Sequence, residues 1–182
     1  DPNGVLTLAY GSSQLFTAAP DEGYTVDSWS VDGTEVQSGG LTYALENITA
    51  DHAVAVSFKP LTFTVTASAG GHGSVDPNGV LTLAYGSSQL FTAVPDAGYT
   101  VDVWTVDGTE VQSGGTTYEM TDIRSDHTVL VTFHPVNVTV TASAGDHGSV
   151  DPNGVLTLAY GSSQLFTAAP DEGYTVDVWS VD

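Results

Sequence analysis

The sequence predicts an all-β chain, a tandem array of small sandwich or open-barrel modules with a 75-residue period. Three observations carry this. The stretch DPNGVLTLAYGSSQLFTA at residues 1–18 returns letter for letter at 76–93 and 151–168, and a fixed offset marks a modular array rather than one large domain. Apolar and polar residues alternate at period two through most of each copy, the pattern of a half-buried strand. Clusters rich in Gly, Pro, Asn and Asp separate the alternating runs, and no stretch carries the period of a long helix.

The copies are best phased on Pro60 and Pro135, which each close a strand-like run. Residues 61–135 then form a complete repeat. Residues 1–60 form a partial repeat lacking its first strand, and 136–182 a partial repeat lacking its last strands. Because the chain opens inside one repeat and stops inside another, it reads as a window on a longer protein. Each module is small enough to bury only about 60% of its unfolded surface, so its core is thin.

Within the complete repeat the elements follow in order. FTVTASA (63–69) sets Phe63, Val65, Ala67 and Ala69 against Thr64, Thr66 and Ser68. VLTLAY (80–85) puts Leu81, Leu83 and Tyr85 on one face, and QLFTAV (89–94) follows a Gly-Ser-Ser turn. YTVDVWTV (99–106) carries Tyr99 and Val101, then Trp104 and Val106, so the alternation slips near Val103 and predicts a β-bulge. Asp107-Gly108 is a two-residue hairpin signal of the type I′ kind, returning the chain as TEV (109–111). TYEMTDI (117–123) is a weaker strand signal, and HTVLVTF (127–133) alternates Val129, Val131 and Phe133 with outward residues. Six or seven short strands per module are expected. Differences between the two fuller copies fall mostly on the outward positions (Ala53/Thr128, Ala55/Leu130, Ser57/Thr132, Lys59/His134), which supports the same face assignment.

SFKPLTFT and TFHPVNVT join one module to the next with only two or three residues between strands. A flexible linker would be longer and richer in Gly and Ser, and proline restricts the backbone further. Adjacent modules are therefore expected to hold a fixed, extended relation.

The run GHGSVDPNGV, then LAYGSSQLFTAVPDAGYTVDVWTVDGTEV, then YEMTDIRSDHTVLVTF, resembles the divergent internalin-type B-repeat found in tandem in bacterial and archaeal surface and secreted proteins. The resemblance covers the whole chain and rests on turns and core positions. It implies a β-rich, sometimes β-grasp-like module used as a stalk, spacer or adhesive segment. A β-grasp would include a helix, and none is visible here, so an all-β module is expected.

Composition narrows the chemistry. Two basic residues, Lys59 and Arg124, face 22 acidic ones for a net charge of −20. Such a surface repels phosphate backbones and anionic headgroups, which argues against nucleic-acid and membrane-surface roles. There are no cysteines, hence no disulfides or thiolate metal sites. No apolar run is long enough for a spanning helix.

The candidate site residues read mainly as structure. His52 and His127 follow an aspartate before the last strand, His72 and His147 sit in Gly-x-His-Gly turns, and His134 lies in a junction. No Gly-x-Ser-x-Gly elbow accompanies them, so turn and cap roles are expected, with a transition-metal role the alternative. Asp76, Asp96, Asp102, Asp107, Glu110, Asp122 and Asp126 read as solvated turn carboxylates, with a weak calcium site near a junction the alternative. Trp29, Trp104 and Trp179 are expected to be core anchors rather than a carbohydrate platform. Asn47-Ile48-Thr49 and Asn137-Val138-Thr139 are sequons at unrelated places in the repeat.

The expected function is thus a structural segment of an extended extracellular rod, stalk or filament, with no enzymatic activity and no required cofactor. An adhesive module recognising carbohydrate or protein is the alternative. The expected partners are neighbouring copies of the same repeat, head to tail. Strand complementation is a variant, in which a segment such as 136–150 completes a copy lacking its first strand.

Overall fold

The computed structural model describes residues 1–181; the last position of the third copy, Asp182, lies outside the described residues. Seventeen β-strands and no helix occur among the described residues, so the chain is all-β. Contacts divide it into two compact units. The first comprises Asp1–Thr66, Val80–Leu90 and Glu119–His127, and the second Ala67–Gly79, Phe91–Tyr118 and the chain from Thr128 onward. Each therefore draws on two consecutive copies.

In the first unit, β1 (Ser12–Thr17), β2 (Tyr24–Val31), β3 (Thr34–Ser38), β4 (Thr42–Ile48) and β5 (Val54–Pro60) come from the first copy. They form two small antiparallel sheets, β1 with β4 and β3-β2-β5. Ala18, Val26 and Trp29 are buried between them, with Phe16, Tyr43, Val54 and Val56 packed around. Inward residues of strands that alternate at period two meet across the sandwich.

The second copy supplies β6 (Thr62–Ala69), β7 (Gly73–Asp76), β8 (Gly79–Ala84), β9 (Gln89–Pro95), β10 (Tyr99–Val106), β11 (Thr109–Ser113), β12 (Thr117–Met120) and β13 (His127–Pro135). In the second unit β10 pairs antiparallel with both β11 and β13, and β7 with β9. The third copy adds β14 (Asn137–Ala142), β15 (Gly148–Asp151), β16 (Gly154–Ala159) and β17 (Thr167–Pro170), as the pairs β14–β16 and β15–β17.

Most expected elements are present. The register of β10 against β13 shifts between Val101 and Trp104, so the phase slip is a bulge, and β2 repeats it between Val26 and Ser28. The bulge turns Trp104 inward, where it is fully buried, and Trp29 is buried likewise. The third tryptophan, Trp179, is 56% exposed. Asp107 and Gly108 both have positive φ, 51° and 78°, as a type I′ turn requires.

Two elements differ from expectation. Gly73–Asp76 is a strand that the alternation did not reveal, which brings the second copy to eight strands. It is short, and its glycine has no side chain because the Phe133 ring occupies that space: a Cβ on Gly73 would stand 2.5 Å from the ring. The weak strand expected over 117–123 stops at Met120. Asp122 has a φ of 55°, which breaks the pleat, yet Ile123 is 1% exposed and serves the core from outside any strand.

Candidate functional site: the joint between repeats

The histidines are placed as caps and stacks. His52 Nδ1 lies 2.7 Å from Asp32 Oδ2, and Asp32 Oδ1 accepts the Ala53 N–H at 2.8 Å. His127 Nε2 is 3.0 Å from the Ser125 hydroxyl. His72 stacks on Tyr99 with ring centroids 4.0 Å apart, and His147 on Tyr174 at 4.1 Å. His134 Nδ1 approaches the Pro135 carbonyl at 3.0 Å. Among the described residues no three His, Asp or Glu side chains converge as a metal cage would require.

Several carboxylates bind backbone, while Asp122 pairs with Arg124. Asp107 Oδ1 accepts the Thr128 N–H at 2.8 Å, and Asp126 Oδ1 accepts the Thr64 N–H at 2.7 Å. The Thr64 N–H holds the Asp126 carboxyl below the usual carboxylate range, and the Ala53 N–H, aided by His52, does the same for Asp32. Hydrogen bonding to the charged form favours it.

A carboxyl lowered in the folded chain contributes stability that is fully present above its unfolded value, about 3.9. That contribution is lost as pH falls through the lower folded value. The contribution of these two carboxyls to the melting midpoint is expected to fall through this acid window, and Asp126→Asn to remove its share of that fall. Relief of repulsion among the other carboxylates acts on both proteins alike. A variant profile as steep as the parent's would refute the account.

The most organised polar and aromatic contacts lie where one copy meets the next. A single non-strand residue, Leu61, separates β5 from β6. Its N–H donates to the Gly23 carbonyl at 2.8 Å, and its carbonyl accepts the Tyr85 N–H at 2.9 Å. One backbone amide thus looks back to the first copy while the same residue's carbonyl holds the second. The Tyr85 ring lies directly on Gly23: a Cβ there would be 2.5 Å from the ring. Gly23 has a φ of 78°, so glycine is required for its conformation as well as for the contact.

The arrangement recurs one period later. Val136 separates β13 from β14, donates to the Gly98 carbonyl at 2.8 Å and accepts the Tyr160 N–H at 2.8 Å. A Cβ on Gly98, whose φ is 81°, would fall 2.0 Å from the Tyr160 ring. Both polar groups of the connecting residue are satisfied in each joint, leaving it little freedom to swivel.

The first joint carries further contacts. The Tyr85 hydroxyl donates to Glu22 Oε1, and this bond raises the phenol above its usual range. Arg124 donates from Nη1 to Glu22 Oε1 at 3.2 Å and from Nε to Asp122 Oδ1 at 2.8 Å. Its guanidinium carbon stands 5.1 Å from the Tyr85 ring centroid, within cation–π range. Asp122, foremost through that hydrogen bond, raises the guanidinium's affinity for its proton.

Alternation and turn chemistry did not reveal this cluster. Tyr-Gly-Ser-Ser and Pro-Asp-x-Gly-Tyr read as two separate turns, and only the fold brings Tyr85 onto Gly23. The available signal was that both motifs recur unchanged in every copy, while the single arginine does not.

A family model for the divergent InlB B-repeat domain matches residues 3–61, 63–137 and 138–182, which is nearly the whole chain in three tandem segments. The chain belongs to that family. No curated protein and no solved structure matches it. The matched segments meet at Leu61–Phe63 and at Asn137–Val138, so the boundaries between B-repeats fall on or beside the residues that form the joints.

Proposed function

We propose that this chain is a structural segment of an extended extracellular stalk or filament, built from tandem B-repeats whose joints set its reach. B-repeats occur in surface and secreted proteins, which supports the setting. The observation that carries the stalk reading is the joint itself: one connecting residue, tied by both backbone groups, repeated with the same partners 75 residues on. A segment selected for length needs such a joint more than it needs distinct chemistry in each copy. The neighbouring copies are its partners in this reading, the turn carboxylates are solvent-facing, no cofactor is called on, and no step of catalysis is assigned.

An adhesive role finds less support. A carbohydrate platform repeated in every copy would use the same exposed aromatic face each time, and of the three equivalent tryptophans Trp29 and Trp104 are buried while only Trp179 is exposed.

The test is the orientation of repeats in solution. Residual dipolar couplings, measured on the 182-residue chain, should fit one alignment tensor across each joint, and small-angle scattering should give an extended particle. Separate tensors for the two sides of a joint, with scattering from independently tumbling modules, would reject the stalk.

A further inference from the structure

The two joints share their backbone ties and their tyrosine-on-glycine contact, but they are not chemically equal. At the position of Glu22 the second copy carries Ala97, and the third returns to Glu172. At the position of Arg124 the first copy carries Thr49. These substitutions lie among the differences between copies that agree at about three positions in four.

We infer that this pair of positions is a specificity element of the repeat–repeat interface: Glu22 of one repeat and Arg124 of the next clasp their joint, whereas a repeat carrying alanine there, as at Ala97, leaves its joint unclasped. The inference rests on the stalk reading and adds to it that stiffness is written joint by joint.

The geometry supports a clasp rather than a chance surface pair. Arg124 uses two edges of its fork at once, on Glu22 across the joint and on Asp122 of its own repeat. Asp122 therefore orients the guanidinium before it reaches over. The same guanidinium covers the Tyr85 ring, and the Tyr85 hydroxyl donates to the same Glu22 oxygen. Three contacts thus link the Tyr85 ring, its hydroxyl partner Glu22 and Arg124.

Charge adds a reason. In a chain of net charge −20, facing repeats repel, and Arg124 is one of only two cations. All three charged groups are more than half exposed, Arg124 at 54%, Glu22 at 76% and Asp122 at 60%. An exposed pair adds little to global stability. Its effect should appear in how often the joint opens, and it should weaken with salt.

The experiment is amide hydrogen exchange on the 182-residue chain, read at Leu61 and Tyr85 for the first joint and at Val136 and Tyr160 for the second. Glu22→Ala installs the residue that stands at 97, and Arg124→Thr the residue that stands at 49. Each is expected to speed exchange at Leu61 and Tyr85 about two- to fivefold at low salt. Val136 and Tyr160 should be unchanged, the double variant should exceed either single one yet fall short of their sum, and Arg124→Lys should recover part of the loss. The melting midpoint should stay within about 2 °C, as for other surface substitutions. Protected amides that ignore both substitutions, or that speed up equally at both joints, would overturn the clasp alone. Exchange at unprotected rates at all four amides in the parent chain would overturn the clasp and the fixed-joint reading together.

Discussion

Trp104→Ala is expected to remove most of the stability of the second repeat. The indole is fully buried, its N–H donates to the Gly115 carbonyl at 3.0 Å, and its ring lies 5.8 Å from that of Tyr118. Truncating a buried tryptophan costs about 3–5 kcal/mol. A module of this size holds only about 4–11 kcal/mol in total, at 0.05–0.15 kcal/mol per residue. The loss is therefore about a quarter of the total at the least and more than all of it at the most. Trp104→Phe keeps part of the apolar volume but leaves the Gly115 carbonyl without its indole donor, so it should fall between the parent and the alanine variant. Urea unfolding followed by circular dichroism measures all three. An alanine variant that unfolds at the parent's midpoint would mean that the core does not depend on the bulge that aims Trp104 inward.

The second large effect is at the joint. Gly23→Ala should strain the backbone and lift the Tyr85 ring off it together, because φ is 78° and the added Cβ would meet the ring at 2.5 Å. Gly33 separates the two causes. It has the same φ of 78° and open space around the added Cβ, so Gly33→Ala should cost only the conformational term, about 1–2 kcal/mol. Gly23→Ala should cost that and about 1–3 kcal/mol of overpacking as well. The second part should appear as exchange at Leu61 and Tyr85 faster by about tenfold or more. Tyr85→Ala should relieve the clash, so the two substitutions together should cost less than their sum. Equal effects of Gly23→Ala and Gly33→Ala on those two amides would show that the ring contact does not hold the joint.

Much of the fold was legible because its signals are local. A buried face needs alternation, a type I′ turn needs Asp107-Gly108, and a bulge shows as a slip in phase at Val103. Contacts between distant segments leave no such mark. The joint pairs Gly23 with Tyr85 and Glu22 with Arg124, residues 62 and 102 positions apart. Each is an ordinary turn or surface residue in its own neighbourhood. Strand β7 escaped for a related reason, since Gly73 is selected by the ring of Phe133, far along the chain.

By itself the sequence determined the module, its period, the inward faces and the brevity of the joints. It did not determine which distant segments lie side by side. Strand β14 meets β16 through six register pairs, from Asn137 with Ala159 to Ala142 with Gly154, and β10 meets both β11 and β13. A strand's hydrogen bonds are made to another segment rather than within itself, so alternation marks a strand and its buried face, while its partners are decided only where the fold lays two segments together.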